Sequence, residues 1–239
     1  MSRAASDLPL ERETVADDLA GMGSFFIDPQ GAARRVFHKW FWVGPLVIFS
    51  VVSVIASHVI IPMMQHVFEV APIPPGVSPD QFQRQADMGM TALRLSMYFA
   101  PVITGVILAV PALLLLGSCS VLAIEAKFRW LFNLLAGCSL IQVIAAIANI
   151  IILKSKGEVS TAAELRPAVG LDIFLPEGTN KYAIALAGYF SIFEIWWVVM
   201  MVLILSAAFR VSKGKAFVAV VPLIALSILF RLGSAFLQR

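Results

Sequence analysis

With 239 residues, of which 59% are hydrophobic and only 14% charged, and a mean hydropathy of +0.87, the chain lacks the charged surface of a soluble globular domain, about a quarter of its residues. Bilayer crossings of roughly 20 apolar residues each account for much of its length, and no remaining stretch is large enough for a second domain of ordinary size. The formal charge of +3 comes from lysines and arginines beside apolar runs, so it speaks of topology and argues against a nucleic-acid-binding face.

Residues 1–24 carry Asp7, Glu11, Glu13, Asp17 and Asp18 among few large apolar side chains and read as a flexible acidic arm. The first apolar run starts near Trp40 and is too long for the core of a signal peptide, so it is expected to be retained as a span. Between arm and span, Phe25-Phe26-Ile27-Asp28-Pro29 makes a helix start: Asp28 can cap free amides, and proline suits the first helical position. The helix expected over Pro29–Lys39 sets Arg34, Arg35 and Lys39 beside Val36, Phe37 and Trp40 and reads as interfacial. Its basic residues are expected to contact anionic lipid headgroups, at about 1 kcal/mol per charge.

Spans are predicted at about 41–61, 95–124, 131–153, 182–209 and 217–236. Pro62 is expected to close the first. The loop from Pro62 to about Met90 holds Pro72, Pro74, Pro75 and Pro79. Pro101 and Pro111 should kink the second span. Glu125, Lys127 and Arg129 mark a short turn, Lys154–Lys181 a longer polar loop, and Arg210, Lys213, Gly214 and Lys215 a tight basic turn. The fold class is therefore all-α and polytopic: a bundle of five transmembrane helices over residues 25–236, preceded by an amino-terminal interfacial helix. Lys127, Arg129, Arg210, Lys213 and Lys215 share one side if the amino terminus is inside. Lys154, Lys156, Arg166 and Lys181 lie opposite, but the turn at 210–215 is free of acids and decides for amino terminus in, carboxyl terminus out.

Several of these residues form ordered motifs. Phe26-Ile27-Asp28-Pro29 ahead of a basic helix resembles the start of the Yip family of Ypt/Rab-interacting membrane proteins. Ser191-Ile192-Phe193-Glu194-Ile195-Trp196 resembles that family's fourth-span signature, and Phe209-Arg210-Val211-Ser212-Lys213-Gly214-Lys215-Ala216 its following basic turn. The family often carries an acid where this chain has Ser191; the carboxylate here, Glu194, comes one turn later. The resemblance covers about residues 25–236. It implies a five-helix bundle with a cytosolic amino terminus, no catalytic chemistry, and partners among other membrane proteins or further copies of itself. Eukaryotic members bind Rab-type GTPases. The short arm here is more like the bacterial branch, which argues against such a GTPase and for a bacterial inner membrane.

Glu194 is the leading candidate for a functional polar group, because a carboxylate deep in a span is costly and faces a bundle interior or a wet cavity. Ser191, Asn149 and Gln142 complete the candidate site. The bland alternative is a protonated Glu194 bonded to Asn149 or Gln142. Gln142 and Asn149, seven apart on the third span, share a helical face, and with Asn133 they fit interhelical glue. Trp196 and Trp197 read as core, and Gly105 and Ala109 as close-packing positions. His58 and His66 flank the outer end of the first span. No metal-ligand motif, phosphate-binding glycine loop or paired intramembrane aspartates occurs in the sequence. A serine protease built on Ser139 and His58 fails because their depths differ by roughly 15 Å. No cofactor is implied. The expected function is a non-enzymatic scaffold or accessory subunit. The alternative is a small transporter or channel component using Glu194.

Overall fold

The computed structural model describes residues 15–237 except 74, 75, 158, 160, 162, 163, 166–168 and 177. Residues 1–14 of the expected arm, Pro74 and Pro75 of the first loop, and Arg166 of the second lie outside the described residues. Among the described residues the chain is helical, with a single 3₁₀ turn at Leu171–Phe174 and no strand. The helices are α1 (Val15–Ile27), α2 (Pro29–Arg35), α3 (Val43–Val70), α4 (Pro79–Tyr98), α5 (Ala100–Val121), α6 (Phe128–Lys156), α7 (Lys181–Tyr189), α8 (Ile192–Phe209) and α9 (Lys213–Leu237). Five of these, α3, α5, α6, α8 and α9, are long and apolar enough to cross a membrane. The protein is an integral membrane protein built as a helical bundle.

Helix α6 is the centre. Half of its apolar window is buried, and it packs against α3, α5, α8 and α1. A helix enclosed by neighbours can be apolar all round, which is why Leu131, Leu134, Leu135 and Ile141 all lie within the core. Helix α3 is the opposite case: only 6% of its apolar window is buried. Its remaining apolar surface is left for lipid, which is as apolar as leucine.

The register of α3 is unusual. Leu46 lies beside Gly105, and Phe68 meets Phe82 edge to face at 6.2 Å. Helix α3 therefore begins part-way along α5, and it extends beyond the first residues of α5 to run beside α4. At the other end α1 and α2 fold together as a hairpin into the space that α3 leaves beside α6 and α8. The helix expected ahead of the first span is present, ending at Arg35, and α1 already includes the last residues of the expected arm. Its apolar face, Ala32, Ala33 and Val36, is buried in the bundle, while Arg34 and Lys39 stay exposed.

Three boundaries need correction. Pro62 does not close the first helix. Proline removes a single backbone bond, and the turns after it gain packing of Met63, Met64 and Val67 against Val159 and Leu165, so α3 continues to Val70. The expected loop to Met90 is largely α4, started by a capping box in which Ser78 and Gln81 bond each other's backbone N–H. The fourth span is two helices, because the chain breaks at Phe190 and Ser191 restarts it as the cap of α8.

Candidate functional site

The hairpin turn is set by Asp28. Its carboxylate accepts the N–H groups of Gln30 and Gly31 at 3.1 and 3.0 Å, with Pro29 at the start of α2. A Cβ on Gly31 would strike that carboxylate, so the tight turn needs glycine there. On the buried side Phe25 stacks on Phe41 with ring centroids 5.0 Å apart. Its ring also lies against the bare backbone of Gly137, where any Cβ would collide with it.

Two side chains from distant spans hold the hairpin in place. The indole Nε1–H of Trp196 donates to the carbonyl of Phe26 at 2.9 Å, and the two rings are 5.8 Å apart. The amide of Asn133, completely buried, donates to the carbonyls of Val36 and His38 at 2.9 and 2.6 Å. At the other end Phe37 packs edge-on against Trp130 and Phe209. From Trp196 to Phe209 is about 20 Å of helix at roughly 1.5 Å per residue, so the hairpin reaches well into the bundle. The Phe26, Asp28, Pro29 motif and the Phe193, Trp196 motif thus meet in one assembly, with Phe193 packed against the same core.

Glu194 lies in the first turn of α8, where its N–H donates to the Ser191 hydroxyl at 3.2 Å. Its carboxylate pairs with Arg231 of α9 at 3.1 Å. Arg231 also donates to the Gly188 carbonyl at 3.2 Å and sits 5.6 Å over the Tyr189 ring. The Gly188 carbonyl lies at the end of α7, so one guanidinium spans the break between α7 and α8. The Tyr189 hydroxyl is buried there with no hydrogen-bond partner among the described residues. Asp172 of the 3₁₀ turn lies beside Gly188 and accepts the Gly170 N–H at 3.0 Å.

The sequence-predicted polar site is brought together only in part. Ser191 and Glu194 touch. Gln142 and Asn149 are half-buried on α6, and among the described residues neither hydrogen-bonds Glu194; the Asn149 Oδ1 is buried without a partner. The residue that sequence reasoning passed over is Arg231. A lone arginine near the end of an apolar run is itself a signal, since such a cation seeks a carboxylate or backbone carbonyls.

Among the basic residues, Arg34 and Lys39 are exposed, Lys39 sits 5.4 Å over the Trp40 ring, and Arg35 lies beside Gly21. Lys213 and Lys215 open α9, with the Ser212 hydroxyl accepting the Lys215 N–H at 3.2 Å. Arg210 takes the left-handed conformation that ends α8.

A comparison with protein families matches the Yip1 domain to residues 22–234. Comparisons with curated proteins and with solved structures give no match.

Proposed function

The chain belongs to the Yip1 domain family, and from that premise we propose that it is a non-enzymatic scaffold or accessory subunit that binds other membrane proteins, or further copies of itself. The observation that carries this reading is the bond between Trp196 and Phe26. It commits both family-like motifs to holding a shaped surface together, with Asp28 engaged in capping its own helix. A shape held this way suits recognition of a partner by complementary packing.

The membrane in this proposal is a bacterial cytoplasmic membrane with the amino terminus inside. Support comes from the charges: Lys127 and Arg129 precede or open α6, and Arg210, Lys213 and Lys215 lie between α8 and α9. Both turns sit where Phe37 meets Trp130 and Phe209, the end from which the hairpin enters, as the positive-inside rule requires of one cytoplasmic face. The alternative reading, a small transporter or channel component, has Glu194 and the proline-kinked second span lining a path. The pairing of Glu194 with Arg231 gives that carboxylate a structural partner, which favours the scaffold reading.

The test is crosslinking in cells followed by purification of the tagged full chain in mild detergent and mass spectrometry. A reproducible membrane partner that is lost when Trp196 is changed to alanine is the expected result. Recovery of the chain alone, as a monomer, under conditions that preserve other membrane complexes would overturn it.

A further inference from the structure

Helices α3 and α4 do not close fully on each other. Between them is a crevice of about 420 Å³ lined by Val54, His58, Ile61, Arg94, Met97 and Tyr98. Met97 is shared with a second, smaller pocket that continues between α3 and α5 past Ser53 and Thr104 to Phe49, Ile103 and Ile107. Charged and ring-nitrogen groups line only the first pocket; the second carries hydroxyls of Ser53, Ser57, Ser96 and Thr104 among apolar side chains.

The depth of this path follows from α5. Its residues Ala100–Val121 make about 33 Å of helix at roughly 1.5 Å per residue, matching a hydrocarbon layer about 30 Å thick. Ala100 is the end of α5 away from the amino-terminal hairpin, and from Leu95 to Val121 the chain carries no charged residue. Arg94 is the last charge before that apolar run, at the edge where a headgroup would meet it, whereas Ile103 and Ile107 lie within the run.

The charges at the mouth are one-sided. Arg94 is exposed and makes no ion pair or hydrogen bond among the described residues. His58 uses Nδ1 on the Val54 carbonyl at 3.1 Å, leaving Nε2 as its other polar atom. No carboxylate lines either pocket; the nearest on α4 in sequence, Asp87, is bonded by Gln83 at 3.2 Å. An anionic phosphate is matched at this mouth, whereas the ammonium of a zwitterionic headgroup finds no acid.

We propose that this crevice is a binding site for one anionic glycerophospholipid of the leaflet on the α4 side. Arg94 takes the phosphate as a charge-assisted pair, Tyr98 and His58 offer hydrogen bonds beside it, and one acyl chain follows the groove between α3 and α5.

Native mass spectrometry of the delipidated full chain, titrated with phosphatidylglycerol or with phosphatidylethanolamine, tests the assignment. The expected result is a single phosphatidylglycerol adduct held at least fivefold more tightly than phosphatidylethanolamine. Arg94→Gln should abolish that preference, and Ile103→Trp, which fills the apolar end without altering charge, should weaken both lipids. Circular dichroism and thermal melting check that each variant is folded. Equal retention of the two lipids by the wild-type chain, or a preference unchanged in folded Arg94→Gln, would overturn the proposal. So would finding that Ile103→Trp dissociates a dimer while leaving lipid retention unchanged, since the groove would then hold a second copy of the chain.

Discussion

The indole nitrogen of Trp196 donates to the backbone carbonyl of Phe26, 170 positions earlier in the chain. That bond closes the amino-terminal hairpin onto α8. Trp196→Phe keeps a ring against Phe26 but removes the donor, leaving a part-buried carbonyl without its partner at a cost of about 1–3 kcal/mol. Hydrogen exchange of the full chain in detergent or nanodiscs should show faster exchange across residues 22–36, with α5 and α6 unchanged.

Gly137 and Phe25 form a tight fit in the core. Gly137→Ala places a methyl group inside the volume of the Phe25 ring, and overpacking of this kind costs about 1–3 kcal/mol. The melting temperature should fall. Adding Phe25→Leu should recover part of the loss, because the smaller side chain vacates the contact; a double variant no more stable than Gly137→Ala alone would contradict this account.

Removing Asn133 should act on the same hairpin from its other end. Asn133→Leu leaves the carbonyls of Val36 and His38 without their side-chain donor, and such losses cost about 1–3 kcal/mol for buried groups. Limited proteolysis of the purified protein should then cut between α2 and α3 faster than in the wild-type chain.

The ion pair between Glu194 and Arg231 predicts a different pattern. The Arg231 side chain is 41% exposed, so solvent screens it and the pair contributes under about 1 kcal/mol. Glu194→Gln should leave the amount of folded protein unchanged. Arg231→Glu should be worse, since it sets two carboxylates together at the helix break, and adding Glu194→Arg should restore most of the melting temperature.

The crossings were legible because an uninterrupted apolar run of membrane length is rare in soluble chains. Capping was legible in principle as well: Ser78 with Gln81, and Ser191 with Glu194, carry the serine-to-acid-or-amide spacing that starts helices. Hydropathy alone joined α7 to α8, because Phe190 and Ser191 interrupt the backbone without lowering the apolar content. Pro62 misled in the other direction, since packing of Val67 on Val159 and Leu165 offsets a local breaker. The hairpin's seat was not legible. Nothing local to Phe25 points to Gly137, or to Asn133 as the donor for Val36 and His38; those pairings exist only once the helices are side by side.

That last feature fixes an order of events during synthesis. The residues that receive α1 and α2, namely Asn133, Gly137 and Trp196, leave the ribosome long after the hairpin itself. Until α8 is inserted the hairpin has only the part of its seat made by Phe41, Asn133 and Gly137, and its side facing Trp196 remains uncovered. Contacts of such long sequence separation form late and leave an exposed intermediate. The hairpin is thus made before most of its seat and is fully docked only after α8. Chains stopped before residue 196 should hold the hairpin only partly docked.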